Sequence, residues 1–291
     1  GDSITFSGGL THTTGPTVIT GSVSTPAGGL NLGTTTVNST KTLDTGTANL
    51  TLGNTTLADG VTLTLGTGAA TPISTGSITG DAATGAAENL TINTAGVATI
   101  GGAVGAVPLG TITITQSGGT SFSSTVDAAT VAITDTADAA AVAFTGNLTL
   151  TTGMTVANAG GANAYDVSIT GTTNSIAGAT TFLNSGTTTI GNALGDATTF
   201  TGGVVAAAGP KNIAGAINTT NTAMNLGTTA VAVTDNATLN AGSNTITLGA
   251  ATLADGKSLT LGTGSATTIN TGSITGDAAT GAAENLTINT A

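Results

Sequence analysis

The chain has 291 residues, of which only 6% are charged and 2% aromatic, with 45 glycines, no cysteine and a net charge of −11. Without cysteine there is neither a disulfide scaffold nor a cysteine-ligated metal. With three basic residues, all lysine, there is no cluster to neutralise nucleic-acid phosphates or an anionic membrane surface. A hydrophobic fraction of 38%, mostly small aliphatic side chains, is too high for disorder. It suits a narrow core repeated along an axis better than one globular core. No apolar run is long enough for a transmembrane helix, so membrane insertion is not expected.

From the N-terminus onward, short runs alternate an apolar residue with a threonine, serine or asparagine. They include residues 49–52, 62–65, 89–92, 111–114, 131–134, 148–151 and 167–170. Period-2 alternation rich in β-branched residues predicts half-buried strands, apolar side in and threonine side out. Gly, Asn, Asp and Ser punctuate the runs as turns require. Leu90, Ile112, Val131, Leu148 and Val167 open five of them at nearly even spacing. The aromatics Phe122, Phe144, Tyr165, Phe182 and Phe200 follow a similar rhythm. Both rhythms have a period of about 20 residues, which predicts an all-β fold, a parallel β-solenoid with coils of about 19–20 residues and one aromatic ladder. The alternative is a string of immunoglobulin-like sandwiches. Asn49–Leu52 recurs as Asn147–Leu150, one sandwich length further on. The sandwich core markers Trp and Cys are absent.

A longer period overlies the short one. Residues 56–95 recur as residues 252–291 with 35 of 40 positions identical and an offset of 196. Upstream, Phe6-Ser7-Gly8-Gly9 aligns with Phe200-Thr201-Gly202-Gly203 at an offset of 194. A two-residue insertion between about Gly33 and Val37 reconciles the two offsets, and a turn there would absorb it. The chain is therefore read as a first tandem module, 1–194, and a partial second one, 195–291, cut from a longer array.

Candidate chemistry is sparse. The lone histidine, His12, aligns with Ala206 of the second copy, which favours a solvated loop residue over a catalyst. Asp59, Asp81 and Glu88 recur as Asp255, Asp277 and Glu284, and paired acids can perform acid–base work on a polysaccharide. No arginine or neighbouring aromatic accompanies them, and Asp59-Gly60 and Asp255-Gly256 read first as turns. No catalytic residue and no cofactor are expected. Calcium is the one ion weighed, with Asp59, Asp81, Asp255 and Asp277 as candidate hard-oxygen ligands. The Gly-Gly-x-Gly-x-Asp pattern of calcium rolls is missing. Thr-x-Thr recurs at residues 62–64, 111–115 and 149–151, as in ice-binding solenoids, yet it does not fall at the same position of every coil-length period.

The segments Glu88-Asn89-Leu90-Thr91-Ile92, Ala98-Thr99-Ile100-Gly101-Gly102-Ala103-Val104-Gly105 and Phe122-Ser123-Ser124-Thr125-Val126 resemble the β-strand repeats of large bacterial surface adhesins. These are the filamentous-haemagglutinin-like and autotransporter-like proteins. The resemblance implies a bacterial protein, secreted or at the cell surface. It also implies a β-solenoid shaft and a role in adhesion or biofilm matrix. It carries over no binding residue. The function expected is a non-enzymatic structural fibre. Its partners would be further copies of itself end to end and a host or matrix surface. The alternatives are an ice- or glycan-binding solenoid and a β-helix enzyme acting on polysaccharide.

Overall fold

The structure, a computed structural model, describes residues 3–82, 85–158, 164–278 and 281–291. Among them every regular element is a strand. The strands stack in parallel as about 12 coils of a β-solenoid. The chain divides into two compact units, Gly1–Gly146 and Asn147–Ala291.

In the first unit each coil contributes one strand to each of three sheets. The first sheet stacks Ser3–Thr5, Ser22–Ser24, Lys41–Asp44, Thr62–Leu65 and Asn89–Asn93, then parts of Val104–Gln116 and Val126–Ile133. The second stacks Leu10–His12, Leu30–Leu32, Leu50–Leu52, Ile73–Thr75, Ala98–Ile100, Thr120–Phe122 and Ala141–Phe144. The third begins at Thr17–Ile19, Thr35–Val37, Thr55–Leu57 and Ile78–Gly80. Parallel sheets usually need helices on both faces. Here the three sheets enclose their own core, so each shows one face to water and keeps the in/out alternation visible in sequence.

The inward columns hold the fold together. Leu43, Leu65, Ile92, Ile114 and Ile133 pair successively, and each is at most 1% exposed. Burying one such side chain contributes about 1.5–3 kcal/mol. Followed along that column from Ile4 and Val23, successive coils differ in length. The longest runs from Leu65 to Ile92, and its turn carries Asp81 and Glu88.

A second column is polar, against expectation. Thr25, Thr45, Thr71, Thr94, Ser117 and Thr136 are each fully buried. The Thr94 hydroxyl donates to Thr71 O at 2.6 Å, that of Thr71 to Gly46 O, and the Thr120 hydroxyl to Ser117 Oγ at 2.8 Å. The Thr71 and Thr94 hydroxyls thus satisfy turn carbonyls inside a corner, where an aliphatic residue would leave them unpaired, whereas Thr25 Oγ1 is buried without a partner. Threonine therefore lies inside as well as outside. Asparagines tie the corners along the axis: Asn89 Oδ1 accepts the Thr111 N–H at 2.7 Å, and Asn54 Oδ1 the Ser77 N–H at 3.2 Å.

The second unit has the same three-sheet design. One sheet stacks Thr173–Ile176, Ala197–Phe200, the end of Lys211–Thr219, the end of Val231–Asn240, Ser258–Leu261 and Asn285–Ile288. Long strands turn a corner without leaving the ladder, as at Gly215, whose φ of +70° a side-chain-bearing residue would resist. The slip in the sequence repeat, from 194 to 196, falls in the turn between Met224–Asn225 and Val231–Asn240, equivalent to residues 33–34 of the first copy. The strands on either side keep their places.

Two expectations about stacking are corrected. Leu90, Ile112 and Val131 do share one column. Leu148 and Val167 do not: Val167 pairs with Thr188, whereas the strand holding Leu148 places Leu150 opposite Ile176. Alternating runs occur on every face of a coil, so the first apolar residue of a run does not identify its sheet. Nor do the aromatics form one ladder. Phe122 and Phe144 stack face to face at 4.9 Å and extend the column of Leu32, Leu52, Thr75 and Ile100. Phe200 pairs with Ile176 and Phe182 with Val156, so these two rings come from different sheets and meet edge to face at 6.5 Å.

Candidate functional site

The acids singled out by the duplication lie at one corner of the coil, between the third sheet and the first. Asp59 sits in the turn after Thr55–Leu57, where Gly60 has a φ of +68°. Its counterpart Asp255 precedes Gly256, at +66°. Both Asp-Gly pairs are thus turns, as their sequence reads. One coil further on, Asp81 follows Ile78–Gly80, whose Gly80 pairs with Leu57. Its Oδ2 accepts the Asp59 N–H at 3.2 Å, and Asp277 Oδ2 accepts the Asp255 N–H at 3.1 Å.

In the second copy the structure adds a third carboxylate to the pair. Asp255, Asp277 and Glu284 bring one carboxylate oxygen each to within 4.8 Å of one another. Glycines make room for them. A Cβ at Gly276 would run into Glu284 Oε2, and one at Gly281 into the Asp255 carboxylate. In the first copy a Cβ at Gly80 would meet Glu88 Oε2, and one at Gly85 the Asp59 carboxylate. Identical sequence thus places the same acids over the same glycines twice. The copies differ in cover. Glu88 is 4% exposed, because the strand Val104–Gln116 crosses it, with Gly110 donating its N–H to Glu88 O at 2.7 Å. Glu284 is half-buried.

The remaining candidates do not join this corner. His12 ends the strand Leu10–His12 rather than a loop; it is exposed, with Nδ1 2.8 Å from Thr17 Oγ1. Three surface depressions are lined by glycine, threonine, asparagine and aliphatic residues, with the half-buried Phe6 in one of them, and none by an acid. Phe122, Phe144, Tyr165, Phe182 and Phe200 are all at most 1% exposed, so none offers a platform for a sugar ring.

The Thr-x-Thr runs are more regular than the sequence suggests. On the outer face of the first sheet, Thr42, Thr64, Thr91 and Thr113 pair in succession. Beside them Thr62 pairs with Asn89, and Thr111 with Thr130. The coils differ in length, which hides this register from a fixed-period reading. The run at 149–151 lies apart from it, pairing with Ser175 and Ile176.

Asp235, Lys257 and Lys211, outside the acid corner, have structural partners. Asp235 takes a 2.9 Å ion pair from Lys257. That hydrogen bond, together with the N–H groups of Asn236 and Leu194, holds its carboxyl below the usual range. Lys211 is 1% exposed and donates to Ala208 O and Gly209 O at 2.8 Å and to Thr229 Oγ1 at 2.6 Å. Burial pushes its ammonium down to about 8.

No family model, no curated protein and no solved structure matches the chain.

Proposed function

We propose that the chain is part of a non-enzymatic extracellular shaft, the structural stalk of a bacterial surface adhesin or matrix fibre. The observation that carries this reading is the coil-on-coil stacking: inward columns such as Leu43, Leu65, Ile92, Ile114 and Ile133 run through successive coils, and residues 56–95 recur nearly unchanged as residues 252–291. Coils that pair only with their neighbours lengthen along one axis, by further modules or by a second copy. Secretion, surface location and adhesion come with the resemblance to adhesin repeats.

Sedimentation velocity and electron microscopy of the chain over a wide concentration range test the reading. The expected result is rods that lengthen with concentration. Compact particles of constant size at every concentration reject it.

The column of outward threonines Thr42, Thr64, Thr91 and Thr113 on the first sheet supports a second reading, an ice- or water-ordering face. Coils about 4.8 Å apart set its axial spacing. Thermal hysteresis that disappears in Thr91→Lys is the expected outcome there, and an absence of hysteresis in the unaltered chain rules it out.

A further inference from the structure

We propose that residues 40–81 form a two-coil clamp, a conformational device that opens as one block and halts the coil-by-coil opening of the first unit. The strands Lys41–Asp44, Leu50–Leu52 and Thr55–Leu57 pair with Thr62–Leu65, Ile73–Thr75 and Ile78–Gly80. Side-chain hydrogen bonds cross this junction at each of its corners. The Thr62 N–H donates to Thr40 Oγ1 at 3.1 Å, at the corner where Asp81 holds the Asp59 N–H. At the next corner the Thr67 hydroxyl donates to Asp44 Oδ1 at 3.0 Å and that of Thr71 to Gly46 O. At the remaining one Asn54 accepts the Ser77 N–H. The preceding junction lacks such ties. Among the described residues no side-chain hydrogen bond joins residues 22–39 to residues 41–61. There the Thr45 hydroxyl turns to Ala48 O of its own coil, and Thr25 Oγ1 is buried without a partner.

The second copy keeps these bonds although its residues change. The Ser258 N–H donates to Asn236 Oδ1 at 2.8 Å and the Thr263 hydroxyl to Asn240 Oδ1 at 3.0 Å, in the places of Thr62–Thr40 and Thr67–Asp44. Thr267 reaches Gly242 O as Thr71 reaches Gly46 O. Ala250 replaces Asn54, so that corner alone loses its tie. Apolar packing ranks the two junctions the other way. At the clamped one Leu52 meets Thr75 and Leu57 meets Gly80, whereas at the preceding one they meet Leu32 and Val37. The deficit at Gly80 is partly filled, since a Cβ there would run into the Glu88 and Val107 side chains. Against it stand bonds at three corners. Asp44 and Asp81 accept as carboxylates, whose hydrogen bonds are about twice as strong as neutral ones, and Thr71 is fully buried. Stability in a solenoid is roughly a sum of nearest-neighbour terms, so opening stops at the costlier junction. The inference needs only the stacked coils and stands whether or not the chain forms a fibre.

Native-state hydrogen exchange of the full chain in low urea tests this. The strands at 41–57 are expected to open together with those at 62–80. The strands at 22–37 should exchange about tenfold faster or more, the effect of one or two net hydrogen bonds. Thr67→Ala combined with Thr71→Val should release residues 41–57 to open with residues 22–37. Thr145→Ala removes the 3.2 Å bond to Phe122 O between two later coils and should leave the grouping as it is. Where the double variant does not fold, Thr40→Ala with Thr67→Ala, both at exposed bonds, gives the same comparison. A parent that divides between residues 61 and 62, as apolar packing alone requires, overturns the proposal. So does equal exchange on the two sides of residue 40, or a grouping that the clamp variants leave unchanged or that Thr145→Ala disturbs as much.

Discussion

Lys211 shows how much one position can differ between two copies of a module. Its counterpart is Thr17, whose hydroxyl lies 2.8 Å from Nδ1 of the exposed His12. Lys211 occupies a buried corner, and Thr229, within the two-residue insertion, supplies one of its three acceptors. The ammonium is pushed down to about 8 by burial, below its unfolded value of roughly 10.4. Between those values the unfolded chain binds more protons, so stability rises with pH across that window. Below pH 8 the cost of burying the charge is present in full. The gain from pH 7.5 to 10 should be about 1–3 kcal/mol. Urea unfolding at the two pH values is expected to show it in the parent and not in Lys211→Thr. An equal gain in both would place the titrating group elsewhere.

At the scale of the strand, the unit of stability is the column. Ile112 stands between Leu90 and Val131, fully buried, with Thr113 beside it facing out. Ile112→Ala should cost about 2–5 kcal/mol, because the sheets above and below cannot collapse into the gap. Thr113→Ala should stay within about 0.5 kcal/mol. Stability in a solenoid is roughly a sum of nearest-neighbour terms. Loss of hydrogen-exchange protection in Ile112→Ala should therefore centre on the strands at 89–93 and 126–133 and spare residues 10–12. Uniform loss along the first unit would show that its coils unfold as one block. The alternation that predicts each strand is local and legible in sequence. The partner of each strand is not, because it depends on turn lengths that vary from coil to coil. Leu148 and Val167 have the same surroundings in sequence and lie in different sheets for that reason. Buried threonines such as Thr71 and Thr94 escape a sequence reading because a hydroxyl that satisfies a corner carbonyl looks, in sequence, like one facing water.

At the scale of the whole molecule, repetition specifies coils stacked in parallel. The association test belongs here, because lengthening is a property of the repeat and of no single residue. The acid corner differs between the copies: in the first the strand Val104–Gln116 covers Glu88, and in the second Glu284 is half-buried. Asp59, Asp81, Asp255 and Asp277 could be named from their recurrence and ligand type. Glu88 and Glu284 were visible only as further acids, because nothing local says that a glutamate beyond the next turn returns to the aspartate before it. By itself the sequence determined the strands, the glycine and Asp-Gly turns, the parallel winding and the module, all of which rest on short-range steric preference and period. Only the tertiary structure decided which side chains share a column, where the outward threonines align and which acids converge. Those follow from the summed lengths of the turns, and one residue more or less in a turn moves a side chain to another face.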